Sequence, residues 1–146
     1  MSEPANQAAV QRIRQMFETL QASDLPRLAE IYSTDARFKD PFNEVRGLPA
    51  VRGVFEHMFE ALQQPRFVIH DSIVQGEQCF LTWSFLFFQP RLGHSEQCIR
   101  GGSHLLLDGE GRIREHRDYW DAAEELYEKL PVLGGLMRWL KRRAVS

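Results

Sequence analysis

Apolar residues first recur along this chain at helical spacing. Val10, Ile13, Met16, Phe17 and Leu20 fall on one side of a predicted helix. Ser23-Asp24 offers a cap, and Pro26 sits within the first turn of a second short helix running to Tyr32. Ser33-Thr34-Asp35 reads as its stop. Ala36 to Asp40 reads as a short extended piece closed by Pro41, which also keeps Asp40 out of helical angles. Gly47-Leu48-Pro49 opens a third helix, on which Val51, Val54, Phe55, Met58, Phe59 and Leu62 make a wide apolar stripe. Gln63-Gln64-Pro65 ends it.

The periodicity then changes to that of strands. Phe67 to Val74 reads as one strand, followed by a turn at Gly76. Cys79 to Phe88 is a long aromatic strand. On it Trp83, Phe85 and Phe87 take one face, and Leu86 and Phe88 the other. After a loop at Pro90 to Gly93 comes Gln97 to Leu107, where Gly101-Gly102 suggests a bulge or sharp bend. Asp108-Gly109-Glu110-Gly111 is a hairpin signal, and Ile113 to Trp120 the last strand. Ala122 to Leu130 reads as helical. Pro131 and Gly134-Gly135 break the chain before a short basic helix, Leu136 to Arg143. Helices followed by strands imply an α+β class with an antiparallel sheet, which can cup a cavity if it bends. The expected layout is one domain over residues 1–130 and a basic amphipathic tail over 131–146.

Length and composition narrow the field. A chain of 146 residues suits one domain, and 43% hydrophobic with 26% charged residues is globular. A net charge of −2 argues against nucleic acid. The two cysteines, Cys79 and Cys98, make no disulfide framework and read as buried free thiols. Met1 to Gln15 has no apolar signal region, and no apolar run approaches the ~20 residues that span a bilayer, so the cytoplasm is the expected compartment. Five scattered histidines show no metal spacing, and no cofactor signature is visible.

Two segments carry a family resemblance. Ile31-Tyr32-Ser33-Thr34-Asp35-Ala36-Arg37-Phe38-Lys39-Asp40-Pro41, followed by Gly47, resembles the Y-x-x-D-A-x-F-x-D-P … G stretch of ketosteroid isomerase-like and SnoaL-like proteins. Asp108 to Ile113 with Glu115 to Asp121 is similar to the last hairpin of SnoaL-like proteins and epoxide hydrolases. Both belong to the nuclear transport factor 2-like superfamily. The resemblance spans roughly residues 8–130. It implies a cone-shaped, cystatin-like roll of three helices on a strongly curved sheet, working without a cofactor.

It also implies candidates. Asp40 falls where ketosteroid isomerases keep a general base; its bland alternative is a turn cap before Pro41. Asp118 matches an acid–base Asp of polyketide cyclases and epoxide hydrolases, and two-residue alternation projects it together with His116 and Trp120. Its alternative is a structural pair. His116 is a shuttle, an orienting donor or a structural residue. Trp83 and Phe85 are core or cavity lining. The oxyanion donors of the ketosteroid isomerases fall on Met16 and Ser103. Methionine donates no hydrogen bond and serine is a far weaker acid, and each lost donor costs on the order of 10² to 10³ in rate. Steroid isomerisation is therefore not expected. The Asp–Arg–Asp set of the epoxide hydrolases is not expected either, because Thr82 to Phe88 carries no charge.

These residues suit a small hydrophobic molecule held against Asp40 and Asp118, with His116, Ser103, Trp120, Trp83, Phe85 and Met16 around it. The chemistry would be proton transfer in an isomerisation, cyclisation or hydration. The rival is a ligand-binding or interaction domain without catalysis. A homodimer through the open sheet face fits both. In the tail, Leu133, Leu136, Met137 and Leu140 form an apolar stripe beside Trp139. Covering the domain is the commoner use of such a stripe, so membrane contact is not expected.

Overall fold

A computed structural model describes residues 2–126 and 131–145 of the chain. Helix α1, Glu3–Glu18, starts where Ser2 Oγ accepts the Ala5 N–H at 3.3 Å, with Pro4 in the first turn. Its Ala9, Val10, Ile13, Met16 and Phe17 are buried. The second helical piece, Ala22–Glu30, is a 3-10 helix entered where the Asp24 carboxylate accepts the Gln21 N–H. Ser33-Thr34-Asp35 is not a break. These residues lie inside strand β1, Tyr32–Lys39, because Tyr32 pairs in parallel with Ile113, whose N–H donates to Ile31 O at 2.7 Å. The irregular register between Tyr32 and Arg37 absorbs the polar triplet. A second strand, β2 at Glu44–Arg46, folds back on β1; three residues are too few to show alternation in sequence. Helix α2, Leu48–Ala61, follows, and strand β3, Gln63–Gln75, begins directly after it, the chain turning with φ +50° at Gln64.

The remaining strands are β4 (Gln78–Phe88), β5 (Gln97–Leu107) and β6 (Ile113–Tyr119). The curved sheet has six strands in the order β2-β1-β6-β5-β4-β3, antiparallel except for the β1–β6 pair. It is thus larger than a four-strand meander and not purely antiparallel. On β4, Cys79, Leu81, Trp83, Phe85 and Phe87 face the helices and are buried, as alternation requires. Register shifts fall between Ile69 and Asp71 and between Leu106 and Leu107. At the first, the Arg14 guanidinium of α1 donates to the carbonyls of Ile69 and His70, fixing helix to sheet.

Gly101-Gly102 is not a bulge: β4 and β5 pair in one unbroken register across it. The glycines are there because rings lie over them. A Cβ on Gly101 would sit 2.6 Å from Trp83 Cη2, and one on Gly102 2.6 Å from Phe80 Cζ.

Past β6, helix α3 is described over Ala122–Glu125, capped by Asp121 and tied to β5 by the Arg100–Glu125 ion pair at 2.9 Å. The rest of the helix expected to run to Leu130 lies outside the described residues. Helix α4 is continuous over Pro131–Val145, so Gly134-Gly135 does not break it. Proline is tolerated in a first turn, and two glycines weaken a helix without ending it. Among the described residues no helix is long and apolar enough to cross a membrane.

Candidate functional site

Two donor chains converge on Asp118. His116 and Asp118 point inward from β6, and Ser103 lies opposite Asp118 on β5, one strand from Trp83 on β4. Trp83 Nε1–H donates to Ser103 Oγ at 2.8 Å, and the Ser103 hydroxyl donates to Asp118 Oδ1 at 2.5 Å. On the other side, Tyr32 Oη lies 2.6 Å from His116 Nδ1, and His116 Nε2 lies 2.6 Å from the same Asp118 Oδ1.

Hydrogen-bond chemistry assigns the protons. Burial, with a smaller contribution from the Asp118 charge, pushes the Tyr32 hydroxyl well above its ordinary value of 10.0. Tyr32 therefore keeps its proton and donates to Nδ1. In the neutral imidazole the proton then belongs to Nε2, which donates to the carboxylate. The rings of Tyr32 and His116 lie 5° from parallel, and Phe38 meets the imidazole edge-on at 4.7 Å. Oδ1 takes both donors, so Oδ2 is left for solvent or a ligand. The Asp118 side chain is 16% exposed.

Asp118 separates two spaces. Beneath it is a cleft between α1, α2 and the sheet, walled by Phe17, Phe55, Phe67, Leu81, Trp83 and His116. It holds only about 20 Å³ of free volume, room for about one water. Above it is an open groove of about 580 Å³ at the C-terminal ends of β1 and β6, lined by the carboxylates Asp40, Asp118 and Asp121, the cations Lys39 and Arg117, and Trp120 among others. Trp120 packs edge-on against Phe42, ring centroids 5.5 Å apart, at the groove rim.

The candidates from the sequence separate accordingly. Asp118, His116, Ser103 and Trp83 form one hydrogen-bonded group. Asp40 lines the groove, but its Oδ1 accepts the N–H of Phe42 at 2.8 Å and of Asn43 at 2.6 Å, and the Asn43 amide reaches both its oxygens. That is the geometry of a turn cap between β1 and β2. Trp120 is at the rim. Phe85 stacks on Phe67 and leans on Phe87, away from the cleft lining; Met16 is buried on α1, also outside it. Tyr32 is the member of the group that sequence reasoning missed, although it opens the Y-x-x-D-A stretch. Among the described residues the cleft lining contains a single carboxylate and no arginine. No group of three His, Cys, Asp or Glu side chains placed for a metal occurs among the described residues.

The SnoaL-like domain profile matches residues 13–116. The chain belongs to the SnoaL-like domain family. The matched span takes in Tyr32, Ser103 and His116 and stops two residues short of Asp118. No curated relative matches the chain by sequence. Among solved structures, this SnoaL-like protein is similar to a Jannaschia sp. CCS1 protein assigned to the SnoaL-like polyketide cyclases. The two share 14% identity over 85% of this chain and 92% of that one, with a TM-score of 0.72. An LEH-like epoxide hydrolase from M. tuberculosis is 18% identical over 92% and 96% of the two chains, with a TM-score of 0.68. A nuclear transport factor 2-like protein of unknown function from Burkholderia pseudomallei is 18% identical over 85% and 95%, with a TM-score of 0.69. Likeness at these identities establishes the fold and leaves the chemistry to the site.

Proposed function

We propose that this SnoaL-like protein binds a small, mostly apolar molecule in the groove over Asp118 and moves a proton on it with Asp118 Oδ2. The observation that carries this reading is the pair of donor chains ending on Oδ1. They hold the carboxylate by Oδ1 and leave Oδ2 without a hydrogen bond among the described residues, on a side chain that lines the groove. Tyr32 and His116 set the tautomer; Trp83 and Ser103 set the carboxylate angle. In the groove Asp118 stands with two further carboxylates, Asp40 and Asp121, and with the cations Lys39 and Arg117, whose charge would favour a substrate that gains negative charge as its proton leaves, such as an apolar carbonyl compound with an acidified C–H. Isomerisation and cyclisation both begin with removal of such a proton. Asp40 shapes the groove by holding its β1–β2 wall, and Trp120 supplies the apolar contact. The aromatic cleft beneath leaves room for no more than about one water behind the network.

One observation favours a second reading, a binding or interaction domain without catalysis: the cleft is nearly filled, and Oδ1 is satisfied as a structural pair would be. Under either reading a second copy would pair through the outer sheet face, where Ile73 and Phe80 are exposed. Sedimentation velocity reads that state.

Binding is tested by titrating a panel of apolar carbonyl compounds and following amide shifts by NMR. The proposal expects shifts concentrated on residues 40–43 and 117–121, and their loss in Trp120→Ala. Shifts scattered over the surface, or none with any compound, would remove the groove as a ligand site.

A further inference from the structure

Helix α4 has two chemically distinct sides. Leu136, Trp139 and Leu140 are related by three- and four-residue steps and share one side. Arg138, Lys141 and Arg142 are related in the same way and share the other, and Arg143 lies over the Trp139 ring at 5.6 Å. Pro131–Val145 contains these four cations and no carboxylate, in a chain whose net charge is −2. Among the described residues the apolar side stays about half exposed. Gly134 is buried, but Leu136 is 51%, Trp139 48% and Leu140 46% exposed. Gly134-Gly135 leaves the helix unbroken, so these three side chains sit on one continuous element.

We infer that α4 is a docking element for an anionic lipid surface, lying in the plane of the interface with Leu136, Trp139 and Leu140 inserted and the cations at the headgroups. Charge selects this occupant. A helix with four positive charges and no negative one complements a surface of continuous negative charge. A tryptophan among leucines is the side chain that prefers the boundary between headgroup and acyl chain. The arginine over the indole ring keeps a cation at the depth of Trp139, where phosphate groups lie. The helix is too short and too charged to span, so contact is peripheral and reversible. Docking would bring the domain to the boundary where apolar small molecules concentrate. The inference does not depend on a substrate being found.

The test is flotation of the full chain with vesicles of phosphatidylcholine and phosphatidylserine at about two to one, and with phosphatidylcholine alone. Two variants accompany it: Leu136→Ser/Trp139→Ser/Leu140→Ser and Arg138→Glu/Lys141→Glu/Arg142→Glu. The six substituted residues are exposed, and thermal melting of both variants checks that each is folded. The expected result is that the parent floats with the anionic vesicles and not the neutral ones, and that each variant loses about tenfold or more of the bound fraction. A parent that floats with neither vesicle overturns the inference. So does an apolar variant that floats as well as the parent, since charge alone would then hold the protein. A parent that never floats but is dimeric, and becomes monomeric in the apolar variant, would assign the helix to a second copy instead.

Discussion

The rings of Tyr32 and His116 lie 5° from parallel, with the phenol oxygen 2.6 Å from Nδ1. The contact joins two parts of the chain 84 residues apart through the parallel β1–β6 pair. It carries a thermodynamic consequence. Tyr32 resists ionisation in the folded protein, because burial and then the Asp118 charge disfavour the phenolate. Below about pH 10 its hydroxyl is protonated in both folded and unfolded chains and its contribution is intact. Above that, the unfolded chain releases the proton and the folded one keeps it. Stability is therefore lost as pH rises towards the folded value, at up to about 1.4 kcal/mol per pH unit. Tyr32→Phe should lack this part of the alkaline decline. It should also cost about 1–3 kcal/mol at neutral pH, because buried Nδ1 loses its donor. Urea unfolding of both proteins between pH 7 and about 11 reads both effects; parallel pH profiles would show that Tyr32 is not the group responsible.

The glycines of β5 make a second prediction. Gly101→Ala places a methyl group 2.6 Å from Trp83 Cη2 and 2.9 Å from Tyr119 O, and the indole has little room to retreat without giving up Ser103. A loss of about 1–3 kcal/mol is expected. Gly109→Ala, which meets nothing within 4 Å, should change stability little. Equal melting temperatures for the two variants would contradict the packing described for Trp83.

Asp40 and Asp118 should respond differently to truncation. Asp40→Ala removes the acceptor for the N–H groups of Phe42 and Asn43 and should destabilise the fold by about 1–2 kcal/mol. Asp118→Asn keeps an oxygen for Ser103 and His116, so its stability should stay close to the parent's. Chemical denaturation of both variants checks this. An Asp40→Ala protein as stable as the parent would remove the turn-cap role.

Cys79 gives an independent check on the core. Burial pushes its thiol up to about 11, so at neutral pH the nucleophilic thiolate is scarce as well as enclosed. Iodoacetamide should leave Cys79 unmodified in the native protein and alkylate it in denaturant, as peptide mapping would show. Rapid native alkylation would mean that β4 opens locally.

Much of this architecture was legible in the sequence. The stripe from Val51 to Leu62 marks α2, and the alternation along Cys79–Phe88 marks the buried face of β4, because both elements have one clear inside. Two-residue alternation also put His116 and Asp118 on a common face. What escaped depended on partners distant in sequence. Ser33-Thr34-Asp35 reads as a stop until Ile113 pairs with Tyr32. Gly101-Gly102 reads as a bulge until the rings of Trp83 and Phe80 are seen above it. Tyr32 reads as the end of a helix and gains its role only when β6 brings His116 alongside. Asp40 and Asp118 read as a pair, yet the turn at Asn43 engages one carboxylate and the network engages the other. The groove between strand ends has no sequence signature, because its walls come from β1, the β1–β2 turn and the end of β6.

Proton transfer by Asp118 Oδ2 on a molecule bound in the groove is the chemistry proposed for this protein. It is tested most directly by the rate of solvent deuterium exchange into an apolar carbonyl compound that binds there, followed by NMR at saturating compound. The parent should accelerate exchange over buffer, and Asp118→Asn should lose at least about 10² of that acceleration while still binding; Asp40→Ala should lose less than about tenfold at saturation. Exchange that persists undiminished in Asp118→Asn would contradict the account, as would a bound compound whose exchange the parent does not accelerate.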